Sequence, residues 1–166
     1  MKIIVGATAV LGLALAGCSE GGGENNVAVE ERASALQPGE YELAMTVDSI
    51  RSTDGTTPAS KLKQGGEPVT TRTCVGPNNQ IDAAAFVEAG ETCTAGETYI
   101  SGGRMSLQFQ CNRAGKGSLS HVVDGNFKAD SFSASVITAT IFSGSGDYEL
   151  RRSVEAKRVG DCTKKG

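Results

Sequence analysis

The chain offers few residues suited to chemistry, and their spacing limits what each can do. His121 is the one histidine in 166 residues, and it shares a strand parity with Leu119 and Val123. A general base or metal ligand needs partners within hydrogen-bond reach, and the sequence sets none beside it. A lone histidine on an apolar face is more often a hydrogen-bonded core residue. Arg152 stands on the parity of Leu150 and Val154, where an apolar residue is expected. An unpaired guanidinium is costly to bury, so Arg152 should be paired, lie at a strand end or line a wet cavity, unless a bulge flips its parity. Were the interior hollow, His121, Arg152 and Tyr148 would line the pocket. Gly144-Ser145-Gly146 lacks the full spacing of a nucleophile elbow and reads as a turn. Ala114-Gly115-Lys116-Gly117 has no Ser or Thr after its lysine and no following helix, so it is not a phosphate loop. No catalytic set assembles. The chain reads as a non-enzyme, with no cofactor and no metal.

Cysteine chemistry is more informative. Cys74, Cys93, Cys111 and Cys162 are an even set, separated by 19, 18 and 51 positions. A structural zinc site uses close C-x₂₋₄-C pairs, which these are not. In an oxidising compartment they read as two disulfides. The fifth, Cys18, follows Leu15-Ala16-Gly17 at the end of an apolar run that starts after Met1-Lys2. That run is shorter than the ~20 residues a membrane span requires, and its layout is that of a secretory signal. Small residues directly before a cysteine resemble a bacterial lipobox, in which Cys18 becomes a lipid-carrying N-terminus. Acyl chains contribute ~0.8 kcal/mol per buried CH₂, enough for durable membrane anchoring when several are attached. Ser19, rather than Asp, follows Cys18, which by analogy with enteric bacteria favours the outer membrane facing the periplasm.

Charge and composition narrow the partners. Against 19 Asp and Glu the chain sets 16 Lys and Arg, a net charge of −3 that gives no basic field for nucleic acid. Residues 1–17 are expected to be the signal, and 18–37 the lipidated cysteine with a Gly-rich acidic tether that cannot offset its own ordering entropy. A short helical turn within Val27 to Leu36 is a minor expectation. Residues 38–166 are expected to form one domain.

These residues must be positioned by strands, because the dominant period from Pro38 onward is two. Tyr41, Leu43, Met45 and Val47 alternate with polar neighbours, and so do Met105, Leu107, Phe109 and Cys111. Val69 to Val75, Thr98 to Ile100, Leu119 to Asp124, Phe132 to Phe142 and Tyr148 to Val159 complete the set, with a turn expected at Gly125-Asn126. One helix is expected from Gln80 to Ala89, with Asn79 as N-cap and Gly90 as stop. The fold class is all-β with one short helix: an antiparallel meander closing as a small barrel or strongly curled sheet, with two disulfides. Facing residues in an antiparallel hairpin have a constant sum of positions. A three-residue loop at Ser101-Gly102-Gly103 opposes Ile100 to Arg104, and the same register opposes Cys93 to Cys111. A two-residue loop would shift that register by one, so that a bulge would have to intervene. The expected pairs are therefore Cys93 with Cys111 and Cys74 with Cys162.

Pro38-Gly39-Glu40-Tyr41-Glu42, the spaced Cys74, Cys93 and Cys111, and the closing Gly160-Asp161-Cys162 resemble the landmarks of the domain-of-unknown-function 3617 family. Tyr41 stands where that family usually has Trp. The resemblance covers roughly Pro38 to Cys162 and implies an exported protein or lipoprotein, with no catalytic residues to carry over. The expectation is a cell-envelope lipoprotein, a non-enzymatic binding or structural β-module held to the membrane by its lipid, with a protein or small-ligand partner. Two alternatives are an inhibitor of an envelope-targeting enzyme such as lysozyme, acting through the Asp54 to Gly66 loop with Lys61 and Lys63, and a small-ligand carrier with an apolar barrel interior.

Overall fold

The computed structural model describes residues 33–162. The signal, Cys18 and the tether up to residue 32 lie outside the described residues. Seven strands follow one another: β1 (Gly39–Ser52), β2 (Val69–Val75), β3 (Glu91–Ser101), β4 (Arg104–Arg113), β5 (Gly117–Lys128), β6 (Ser131–Phe142) and β7 (Tyr148–Gly160). They form one antiparallel sheet in the order β2-β1-β7-β6-β5-β4-β3, curled into a half-barrel. Strands β3 to β7 are a meander of sequential neighbours. The β1–β2 pair then attaches to β7, so β2 and β3 are the two open edges.

Residues 76–90 carry the chain from one open edge to the other, and a disulfide stands at each end of that crossing. Cys74 bonds to Cys162 with Cα atoms 5.6 Å apart, and Cys93 to Cys111 at 4.0 Å. The expected helix over Gln80 to Ala89 is absent. A single 3-10 turn, Ala83–Ala85, stands there, capped by Asp82 rather than Asn79. The crossing is tied down before a helix can start: Ile81 bridges to Val75, and Asn79 takes a φ of 56° with its side-chain oxygen accepting from the Leu36 N–H. Extended chain advances about 3.3 Å per residue against 1.5 Å in a helix, which suits a segment that must span two edges. Residues 33–36 form no helical turn.

Two further expectations are corrected. Gly125-Asn126 is no turn, since β5 runs straight through it and the reversal falls at residues 129–130. Gly125 is needed for close approach instead: a Cβ there would lie 2.2 Å from the Ser133 carbonyl oxygen. The β3–β4 loop has two residues, pairing Ser101 with Arg104, and a bulge between Ala95 and Thr98 restores the register that opposes Cys93 to Cys111.

Alternation puts one face of β1, β4, β5, β6 and β7 into a common core. Tyr41, Leu43, Met105, Leu107, Phe109, Val123, Phe132, Val136, Leu150 and Val154 are all buried there. Phe86, just after the 3-10 turn, is fully buried; its ring stacks on Phe109 and lies tilted against Phe132, with centroids 6.0 and 6.5 Å apart. The opposite parity of β7 (Arg151, Ser153, Glu155 and Lys157) is exposed, with Glu149 paired to Arg51 and Arg151. Seven of the eight aromatic residues are buried. Tyr99, at 57% exposure, is the exception.

Candidate functional site

Polar side chains converge inside this apolar shell. His121 on β5 and Thr138 on β6 face each other in the strand register, and His121 Nδ1 lies 2.8 Å from Thr138 Oγ1. The other ring nitrogen, Nε2, lies 2.9 Å from Glu91 Oε2 on β3. With the proton on Nε2, His121 donates to Glu91 and accepts from the Thr138 hydroxyl, which leaves no polar atom of the ring unsatisfied. Glu91 also accepts from Arg113 at 2.5 Å, and Arg113 reaches Glu88 at 3.3 Å, the Tyr148 hydroxyl at 3.1 Å and the Ala59 carbonyl at 2.6 Å. Tyr148 in turn donates to Glu88 at 2.8 Å.

Each titration in this cluster follows from that wiring. Burial alone would raise the pKa of Glu91, but hydrogen bonds from His121 and Arg113 outweigh it and hold it below the usual carboxylate value. The Tyr148 phenol is pushed up to about 12, first by burial and then by the charge of Glu88. Arg113 is raised: burial opposes its charge, but Glu91, Tyr148 and Glu88 together prevail.

Arg152 keeps its inward parity with no bulge in the β6–β7 register, and it is 3% exposed. Its partners are weak. One terminal nitrogen donates to the Phe86 carbonyl at 2.5 Å and touches Thr138 Oγ1 at 3.4 Å, the other lies 3.9 Å from the Met45 sulfur, and Nε has no partner. Among the described residues no carboxylate lies within ion-pair distance of it. Burial lowers its pKa, while the more distant charges of Glu88 and Glu91 work against that. Two carboxylates, Glu88 and Glu91, thus balance two guanidiniums, Arg113 and Arg152, within one cluster.

The sequence singles out His121, Arg152 and Tyr148, and the structure buries all three in the interior and joins them to one polar cluster. Glu88, Glu91, Arg113 and Thr138 were missed. One signal was present: the register that opposes Cys93 to Cys111 also opposes Glu91 to Arg113. Glu91, His121 and Thr138 have the order carboxylate, imidazole, hydroxyl of a nucleophilic triad. Thr138 is fully buried, however, and its oxygen is already held by His121 and Arg152. Glu91 also lies close to the Cys93 and Cys111 sulfurs, but these are bonded to each other and offer no thiolate to a metal.

The loop carrying Lys61 and Lys63 is held against the body of the domain. Asp54 accepts from the Gly146 and Asp147 N–H groups, Ala59 donates to the Gly146 carbonyl, and Ser60 contacts Glu88. Hydrogen bonds from Thr56, with those from Gly146 and Asp147, hold the Asp54 carboxyl well below the usual range.

The model of a family described as a protein of unknown function (DUF3617) matches residues 36–162. No curated protein and no solved structure matches the chain.

Proposed function

The chain belongs to the DUF3617 family, and on that premise we propose that it is a lipid-tethered module of the bacterial cell envelope that works by recognition at its outer surface, without catalysis. The observation that carries this reading is that the buried polar side chains are bonded to one another within the fold. Glu91, His121 and Thr138 are bonded in a row, the Arg152 guanidinium is held by the Phe86 carbonyl through one terminal nitrogen, and the Phe86 ring packs against Phe109 and Phe132. A carrier needs a cavity that buries most of its ligand, roughly 300–1,000 Å³. Here the inward side chains of the strands form one buried hydrophobic cluster. Envelope placement is supported by the apolar leader and the small residues before Cys18, and the outer membrane by Ser19. Native mass spectrometry of the purified protein tests whether the interior holds a ligand. A single species at the mass of the chain plus its lipid is expected, whereas a stoichiometric co-purifying small molecule overturns the reading.

A further inference from the structure

Tyr99, the one exposed aromatic side chain, stands on the rim of a groove of about 430 Å³ lined by Arg104, Met105, Ser106, Asp124, Gly125 and Asn126. Strand pairing assembles it: Tyr99 opposes Ser106, Ser106 opposes Asp124, and Arg104 opposes Asn126 across β3, β4 and β5. Its size falls within the range of small-molecule sites. Among the described residues, the polar side chains lining it, those of Tyr99, Arg104, Ser106, Asp124 and Asn126, have no side-chain hydrogen-bond or ion-pair partner. Arg104 and Asp124 face the same groove with opposite charges and are nevertheless unpaired. This contrasts with the interior cluster, where nearly every donor is satisfied.

We propose that this groove binds a saccharide. The inference rests on the reading that recognition occurs at the outer surface. A pyranose ring presents an apolar C–H face and a rim of hydroxyls that both donate and accept. Tyr99 supplies a flat apolar ring for the first, at a small conformational cost because the side chain has two torsions. Asp124 accepts only, Arg104 donates only, and Asn126 and Ser106 do both, a set matched to neighbouring hydroxyls. The lining carries one positive and one negative charge, which suits a neutral ligand. A phosphorylated ligand would meet the repulsion of Asp124. A peptide strand would add to the free edge of β3, but the bulge between Ala95 and Thr98 interrupts that edge, and the groove side chains project from strand faces.

The test is a titration of the ¹⁵N-labelled full chain in detergent, with chitotetraose, maltotetraose and an uncharged tetrapeptide as probes, following backbone amide shifts. Saturable shifts at Tyr99, Arg104, Asp124 and Asn126 with at least one oligosaccharide are expected. Tyr99→Ala and Asp124→Ala should each weaken that binding roughly tenfold, the worth of one stacking or hydrogen-bonding contact. Tyr99→Phe, which keeps the ring, and Ile141→Ala, an exposed apolar change elsewhere, should preserve it. No saturable shift with either oligosaccharide overturns the proposal, and so does binding of the tetrapeptide alone. Shifts centred on His121, Thr138 and Arg152 would instead show entry into the interior and overturn the reading on which the proposal rests.

Discussion

Glu91 Oε2 lies 2.9 Å from His121 Nε2, and the two side chains are 0% and 1% exposed. One carboxylate, presented by an edge strand, thereby fixes the orientation of an imidazole in the centre of the sheet and meets the Arg113 guanidinium with its other oxygen. Removing it should therefore be felt on both sides. Glu91→Ala leaves a buried guanidinium short of its main partner and should cost about 3–5 kcal/mol. Urea denaturation followed by circular dichroism measures this, and a loss under 1 kcal/mol would show the cluster to be ornamental.

Arg152 should behave differently, because no carboxylate pairs with it directly. Arg152→Met keeps the volume, removes a costly buried charge and leaves the Phe86 carbonyl without its donor. The net loss should be about 1–3 kcal/mol, below that of Glu91→Ala. The reverse ranking in the same denaturation experiment would mean that the more distant charges of Glu88 and Glu91 hold Arg152 more strongly than its contacts indicate.

Acid should weaken the fold through Glu91. Its native pKa is depressed, so its contribution is complete above the ordinary value of 4.5 and is lost as pH falls through the native value. Alkali acts through Tyr148, whose phenol ionises near 10 when unfolded and at about 12 in the fold. The unfolded chain therefore loses that proton first, and stability declines between those two values by roughly 2 kcal/mol. Denaturation midpoints at intervals up to pH 12 should show this slope in the parent chain and a flatter one in Tyr148→Phe. Equal slopes would remove Tyr148 as the cause.

The two disulfides should differ in weight. Loop-entropy arithmetic gives ~3 kcal/mol for a bridge between cysteines 18 apart and ~4.6 kcal/mol for one 88 apart. The double replacement Cys74→Ala with Cys162→Ala should accordingly lower the melting temperature more than Cys93→Ala with Cys111→Ala. Non-reducing peptide mapping should recover both native pairs and no Cys74–Cys93 peptide.

For the proposed anchor the decisive position is Cys18. Cys18→Ser should abolish fatty-acid labelling and yield a soluble or uncleaved precursor. Undiminished labelling of that variant would end the lipoprotein reading.

Strands with apolar alternation were legible from sequence alone. Val69–Val75 has the bounds expected of it, and the alternating runs of β4, β6 and β7 extend by a residue or two at their ends. Edge strand β3 was visible only near Thr98, because most of its residues face solvent and its sequence carries no apolar period. Glu91 was hidden for the same reason, although the cysteine register implied its partner. The crossing segment imitates a helix through Ile81, Ala84, Ala85 and Glu88, yet tertiary anchoring at Ile81 and Asn79 overrides that local pattern. Gly125-Asn126 carries the composition of a turn, while the glycine is there for contact with the Ser133 backbone. The saccharide groove has no local signature, since its residues come from three strands and meet only through their pairing.

The bond between Cys74 and Cys162 encloses all that lies between them, from the end of β2 to the end of β7, in one covalent ring. A single peptide bond broken anywhere inside that ring cannot release a fragment. The nicked molecule keeps its mass apart from one added water, and both new ends stay bound to a common piece. Such damage would pass unnoticed on a non-reducing gel and become visible only once the cystine is opened. Wherever a broken chain cannot be resynthesised in place, the ring lets the domain outlast its first cut.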